Sequence, residues 1–293
     1  MIPDQLKKNI IDVYAEQGLK WLDGLPDLLN TYETKLQLKL DGCYVDANFN
    51  YVAPAYLTDG SYAVLKCSPP DQSQKQEALA LRHYNGQGCV QLLFFDENAG
   101  VMLLEKAEPG HLLENYSNDV QACEFAIEIM RRLHKSVENI DRFPSLNDWF
   151  DGFNKLRQRF DGKTGPFPEA LIDKAEKISS DLLASMNKNV LLHGDLHYAN
   201  ILSSDKHGWI AIDPKGVVGE PEFEIPLPRL GHSPDKKTIQ KNIDRFVAIS
   251  GFDRERIVSW IFVKATLAAW WSFEDSGEIA KPFLQCAGCV GKI

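Results

Sequence analysis

The sequence has no uncharged apolar run long enough to cross a bilayer. The longest candidate, IVSWIFVKATLAAWWSF from Ile257, is interrupted by Lys264 and reads instead as a buried core helix. A secretory leader pattern is also missing, because MIPDQLKKNIIDVY scatters its charges and has no sustained apolar centre, so the cytoplasm is the expected compartment. Positive charge is in deficit: 32 Lys and Arg against 41 Asp and Glu leave a net charge of −9, which excludes the basic footprint of a nucleic-acid binder. That acidic balance suits cationic partners or plain solubility. The 6 cysteines are irregularly spaced and read as free thiols. Cys286 and Cys289 form a CxxC, but no second ligand pair accompanies them as a structural zinc site would require. No repeat or low-complexity segment occurs. What is present is ordinary globular material, 293 residues at 44% hydrophobic and 25% charged, enough for one large domain or two lobes.

The first hundred residues read as strand-rich. Short β-branched and aromatic runs at 36–40, 50–58 and 61–67 are separated by Asp41-Gly42 and by Asp59-Gly60, a hairpin signal, and predict an antiparallel meander. A helix is expected after Pro69-Pro70 over DQSQKQEALALRHYNG, ended by Gly86 and Gly88, and then two strands, CVQLLFF and GVMLLEKA, joined by DENAG. From Pro109-Gly110 the pattern turns helical. Asn118 or Asp119 is placed to cap VQACEFAIEIMRRLHKS, Pro168 to start a second helix, and KTIQKNIDRFVAIS and RIVSWIFVKATLAAWWSFED to supply two more. The expected division is a lobe of residues 1–106 followed by one of 107–293.

Between the helices lies VLLHGDLHYANIL, followed by GWIAIDPKGVVGEPEFE. Apolar strand-like runs bracket a loop with His193, Asp195, His197 and Asn200, and a third run ends in Asp213. Such a layout could bring Asp195, Asn200 and Asp213 together at the ends of short neighbouring strands. Crowded carboxylates need a cation, and Asp213 with the amide oxygen of Asn200 offers hard ligands suited to magnesium. Asp195 is then left to receive a proton from a nucleophilic hydroxyl. The order H-x-D-x-x-x-x-N, strand, Asp matches the parts of phosphoryl transfer in a kinase-type fold.

In these segments the chain resembles the aminoglycoside phosphotransferase family, and within it the branch of streptomycin kinases and hydroxyurea-resistance kinases. LLHGDLHYANIL and WIAIDPKGVVGEPEFE carry the resemblance, with DPKGVVGEP the more specific run, and LAAWWSFED extends it loosely. The resemblance implies an α+β, two-lobed protein-kinase-like fold. Its N-terminal lobe is an antiparallel sheet with one key helix, its larger C-terminal lobe is mostly helical, and nucleotide is held between them. It further implies a lysine at a strand end paired with a helical glutamate, a pattern met by Lys66 in YAVLK and Glu77 in QKQEALALR. Taken alone, both read as solvated surface charges. The hinge falls at Leu104 to Ala107, where the backbone of Glu105 and Ala107 is expected to meet the nucleotide base.

The sequence also departs from the protein-kinase pattern. Its first hairpin has Gly42 but no GxGxxG, Pro214-Lys215 follow Asp213, and no segment ending in Ala-Pro-Glu is present to hold a peptide. The expected acceptor is therefore a small hydroxylated molecule, with ATP or GTP as donor and Mg2+ as cofactor, and with neither nucleic acid nor membrane as partner. AAWWSFEDSGE offers Trp271, Glu274 and Asp275, along with Trp270 and Glu278, as a substrate surface for a polyhydroxylated cation. The same residues also read as a core-facing Trp pair with a frayed acidic helix end. His193 reads as structural, His197 likewise although close enough to the site to touch phosphate, Lys215 as a phosphate contact or a partner of Glu220, and Glu220, Glu222 and Glu224 as added charge, capping or solvation. The function expected is transfer of phosphate from ATP to a hydroxyl of a small molecule such as streptomycin. The alternatives are a kinase of an amino alcohol, sugar or nucleoside, a nucleotide-binding pseudokinase, and a DNA- or peptide-binding module.

Overall fold

The computed structural model describes residues 2–45, 47–69, 71–136, 140–225 and 235–291. It divides into two compact units, Met1–Gly110 with Ser204–Lys206, and His111–Ser203 with His207–Ile293. The division falls slightly beyond the expected 106/107 boundary.

The first unit contains a five-stranded antiparallel sheet of β1 (Leu38–Leu40), β2 (Tyr51–Leu57), β3 (Tyr62–Cys67), β4 (Leu92–Asp96) and β5 (Val101–Glu105), in the order β1-β2-β3-β5-β4. The first three strands form the expected meander, and β5 then inserts between β3 and β4. The helix after the meander, α2 (Gln72–Tyr84), starts where Asp71 accepts the N–H of Gln74 at 3.1 Å and ends on Asn85 in the left-handed conformation.

The strand-rich reading of the first hundred residues needs one large correction. They begin with α1 (Asp4–Lys35), a 32-residue helix broken at Ala15. Leu6, Ile10, Leu25 and Tyr32 of α1 share one buried cluster with Ala53, Ala55, Leu65 and Leu103 of the sheet. A sheet with an apolar face must bury it against another layer, and α1 is that layer. Gly18 sits after the break because a Cβ there would meet the Ile10 carbonyl oxygen at 2.5 Å. Two tyrosines fasten the helix, one beside its break and one near its C-terminal end. Tyr14 donates to Asp71 at 2.7 Å, at the start of α2, and Tyr32 donates to Asp96 at 2.6 Å, at the end of β4.

In the second unit, α3 (Asp119–Leu133) is capped by Asn118, α6 (Glu169–Ala184) follows Pro168, and α7 (Lys236–Ser250) and α8 (Arg254–Ser276) follow as expected. Further helices, α4 (Leu146–Phe150), α5 (Gly152–Arg159) and α9 (Lys281–Val290), escaped the sequence reading. The α8 helix packs against α5, α6, α7 and α9, with Trp260 and Trp270 wholly enclosed. Among the described residues, no helix is long and apolar enough to cross a membrane.

After β6 (Pro109–Leu112), the polar stretch lies among short strands: β7 (Val190–Leu192), β8 (Ile201–Ser204), β9 (Gly208–Ala211) and β10 (Val217–Gly219). Here too the expected layout is corrected. β8 lies beside β9, but β7 pairs antiparallel with β10, so Asp195 and Asn200 do not leave neighbouring strands.

Candidate active site

In the first unit, Lys66 faces Val52 and Met102 across β3 and is 4% exposed. Its Nζ lies 2.8 Å from both carboxylate oxygens of Glu77 on α2. Desolvating both charges cancels much of their attraction, so such a pair adds little stability for its own sake, while removal of either partner strands a buried charge. The side chain of Glu105 is a bracket, with one oxygen accepting Lys206 Nζ at 2.8 Å and the other the N–H of Gln91 at 3.1 Å. Its own N–H already donates to Gln91 at 2.9 Å. Ala107 lies half-buried in the loop after β5.

In the second unit, the loop after β7 is built around three short-range constraints. Gly194 has φ of +85°, and a Cβ there would meet the Trp149 ring at 2.8 Å, so the position between His193 and Asp195 requires glycine. His193 is fully enclosed; its Nδ1 accepts the N–H of Asp195 at 3.3 Å and its Nε2 lies 2.8 Å from the Ile212 carbonyl. Both contacts are satisfied by one neutral tautomer with the proton on Nε2, and burial lowers the imidazole's proton affinity, outweighing nearby carboxylates. The carbonyl of His193 accepts the N–H groups of Lys215 at 2.7 Å and Gly216 at 3.2 Å, which ties the two polar segments together.

The third constraint is Glu224, read from sequence as added charge, capping or solvation. It is 0% exposed. Its carboxylate accepts the backbone N–H of His193 at 2.6 Å and of Gly194 at 2.8 Å, and lies 3.2 Å from His134 Nε2. Burial alone would raise its pKa, but the hydrogen bond and charge of His134, the largest opposing causes, reverse the direction and lower it. The available signal was Phe223-Glu224-Ile225, where the flanking apolar residues are both buried. Glu220 is a separate device: its carboxylate takes Nε and Nη2 of Arg256, each at 2.6 Å, and the indole N–H of Trp260. That arrangement occupies Glu220 and leaves no support for its pairing with Lys215.

Asn200 ends a short 3-10 turn, and its Nδ2 donates to the Asp195 carbonyl at 2.9 Å. Its amide oxygen is therefore the end left to serve as a ligand. Ile212 donates its N–H to the Asn200 carbonyl at 2.9 Å, and Asp213 follows in a left-handed conformation at φ of 58°, which aspartate tolerates better than most residues. Among the described residues there is no group of 3 or more His, Cys, Asp or Glu arranged to hold a metal. Two hard oxygens fit a magnesium ion, which keeps waters and completes its shell on substrate phosphates. Cys286 and Cys289 both lie on α9, where burial pushes the Cys286 thiol up to about 12.

The Asp195 side chain is 45% exposed, 3.8 Å from His197 Nε2, and opens on a pocket of about 640 Å³. Trp149, Phe223, Lys264, Trp271 and Asp275 line this pocket, and the rings of Trp149 and Trp271 meet edge to face at 5.4 Å. Trp271 and Asp275 thus stand where a substrate surface was expected, and burial raises the Asp275 carboxyl. Glu274 is exposed and lies outside the lining, and Trp270 belongs to the core. The expected cluster is therefore split, because consecutive residues on a helix point in different directions.

A hydroxyurea phosphotransferase from Kitasatospora aureofaciens is 30% identical over 297 aligned positions, spanning 98% of this chain and 84% of that protein. A streptomycin 6-kinase from Streptomyces glaucescens is 27% identical, spanning 96% of this chain and 94% of its own length. The fold matches the crystal structure of the choline kinase LicA from Streptococcus pneumoniae with a TM-score of 0.63 at 14% identity, covering 92% of this chain and 99% of that one. The sequence profile of the aminoglycoside/hydroxyurea antibiotic resistance kinases matches residues 37–276. With its α+β protein-kinase-like fold, the chain belongs to this family of small-molecule kinases.

Proposed function

We propose that the protein transfers the γ-phosphoryl group of a nucleoside triphosphate, ATP in the first instance, to a hydroxyl of a small molecule such as streptomycin. The supporting observation is the placement of Asp195: a half-exposed carboxylate on a pinned loop, facing an aromatic-walled pocket large enough for a small molecule. Lys66, held by Glu77, neutralises phosphate oxygens. Asn200 and Asp213 are the residues that would hold magnesium, which supplies charge neutralisation on the phosphates. Asp195 accepts the hydrogen bond of the acceptor hydroxyl, aligns its oxygen with phosphorus and takes its proton as the new O–P bond forms and the bridging P–O bond to the nucleoside diphosphate breaks. Most of the acceleration comes from positioning and charge. A nucleotide donor also suits the cytoplasm expected from the sequence.

The test is phosphate transfer from ATP, with and without magnesium, to streptomycin, other aminoglycosides, hydroxyurea and small hydroxylated metabolites, with Asp195→Asn as control. Transfer to streptomycin that is lost in the control supports the reading. Transfer to a metabolite alone keeps the chemistry and replaces the acceptor, and nucleotide binding without transfer to any acceptor overturns it.

A further inference from the structure

The pocket beside Asp195 contains a cation to which phosphoryl transfer, as derived above, gives no part. Lys264 is the one charged residue between Arg256 and Glu274, midway along the core helix α8, and its neighbours Val263, Ala265 and Thr266 are all buried. A lysine so placed is costly unless something partners its amine. Among the described residues Lys264 makes no hydrogen bond and no ion pair, and its direct contact is the Phe223 ring, 4.7 Å from Nζ to the ring centre. Burial lowers its proton affinity, and the charges of Glu224 and Asp195 offset this only in part. Glu224 is already occupied by two backbone N–H groups and by His134. What remains open to Lys264 is the pocket it lines, together with Lys215, Asp195 and Asp275.

We propose that Lys264 is an acceptor-binding group, its Nζ donating to a carbonyl or carboxylate oxygen of the substrate that lies close to the hydroxyl received by Asp195. This rests on the phosphotransferase reading and narrows its substrate class to hydroxylated compounds with an oxygen acceptor near the reacting hydroxyl. An ammonium or guanidinium group offers no oxygen for Lys264 Nζ to donate to. The indoles of Trp149 and Trp271 cover the apolar face of such a compound.

The decisive experiment observes the amine of Lys264 by NMR in the full-length protein with ADP bound, its signal assigned by its loss in Lys264→Met. Three small probes are titrated: hydroxyurea, with a carbonyl beside its hydroxyl, glycolate, with a carboxylate there, and 2-aminoethanol, with an amine instead. A saturable shift with hydroxyurea or glycolate and none with 2-aminoethanol supports the proposal. No shift with any probe, or a shift with 2-aminoethanol, overturns it. In parallel, for any acceptor that the wild type phosphorylates, Lys264→Met should raise the acceptor KM about tenfold or more, leave kcat and the nucleotide KM near their original values, and be partly rescued by Lys264→Arg. An unchanged acceptor KM in a folded Lys264→Met protein also overturns the assignment. Should the wild type phosphorylate nothing, the phosphotransferase reading fails by itself, and the NMR titration still decides the role of Lys264.

Discussion

Glu77 and Glu224 are two buried carboxylates, one in each unit, and the protein handles their charges in opposite ways. Glu77 meets a side chain: both of its oxygens hold the single flexible ammonium of Lys66. Glu224 meets backbone: its oxygens collect the N–H groups of His193 and Gly194, with His134 completing the site. A side-chain partner can be shared with a ligand, since Lys66 can exchange carboxylate for phosphate. Backbone donors cannot leave without moving the loop that contains Asp195. One glutamate therefore poises a charge, and the other holds a conformation.

The sharpest test of that contrast is Glu224→Gln, which leaves two buried N–H groups competing for one carbonyl oxygen. Its expected cost is about 3–5 kcal/mol, the range for breaking a buried charged network, with phosphate transfer nearly abolished. Urea unfolding and a transfer assay measure both, and a stable, active Glu224→Gln would break the comparison. Next in size, Asp195→Ala should lower turnover about a hundredfold or more while leaving the urea midpoint almost unchanged, because that side chain is half-exposed and supports no other contact strongly. Glu77→Gln should cost less stability, about 1–3 kcal/mol, and act mainly by raising the nucleotide KM. Because weaker nucleotide binding means less stabilisation by nucleotide, the thermal shift on adding nucleotide should be smaller in Glu77→Gln than in Glu224→Gln, whose Lys66–Glu77 pair is intact.

The smallest expected effect concerns the anchorage of α1. The hydrogen bond from Tyr32, followed by that from Lys35, holds the Asp96 carboxyl down at about 2. A carboxyl depressed in the folded state stabilises fully above its unfolded value of about 3.9, and that stabilisation fades as pH falls toward the folded value. The urea midpoint of the wild type should therefore decline between pH of about 4 and 2, and the decline should be shallower in Asp96→Asn.

Local spacing made some of this architecture legible. The cap Asn118, the start at Pro168 and the Asp59-Gly60 hairpin are short-range chemistry. The pairing of Lys66 at the end of β3 with Glu77 on α2 was legible only through the family resemblance, since taken alone both read as solvated surface charges. The α1 helix was opaque for a physical reason. Its buried residues Leu6, Ile10, Leu25 and Tyr32 are widely spaced around a break at Ala15 and a proline at 26, so no clean helical face repeats along the segment. That helix is specified largely by the sheet it covers.

The candidate site divides along the same line. His193, Asp195, Asn200 and Asp213 stand within a few residues of β7, β8 and β9, and their spacing is a property of the chain itself. Glu224 lies 31 residues after His193 and acquires its meaning only when the turn after β10 brings it beneath that loop. The same holds for Lys264, whose helix must pack before its amine can be seen to line a pocket, and for Trp270 and Trp271, adjacent in sequence but assigned to core and pocket by the face each presents. Sequence alone picked out the candidate reacting groups and the local turns that carry them, because those depend on near neighbours. Tertiary structure decided which distant charges hold that loop and which line the pocket beside Asp195, because burial and hydrogen-bond partnership exist only after the elements have packed.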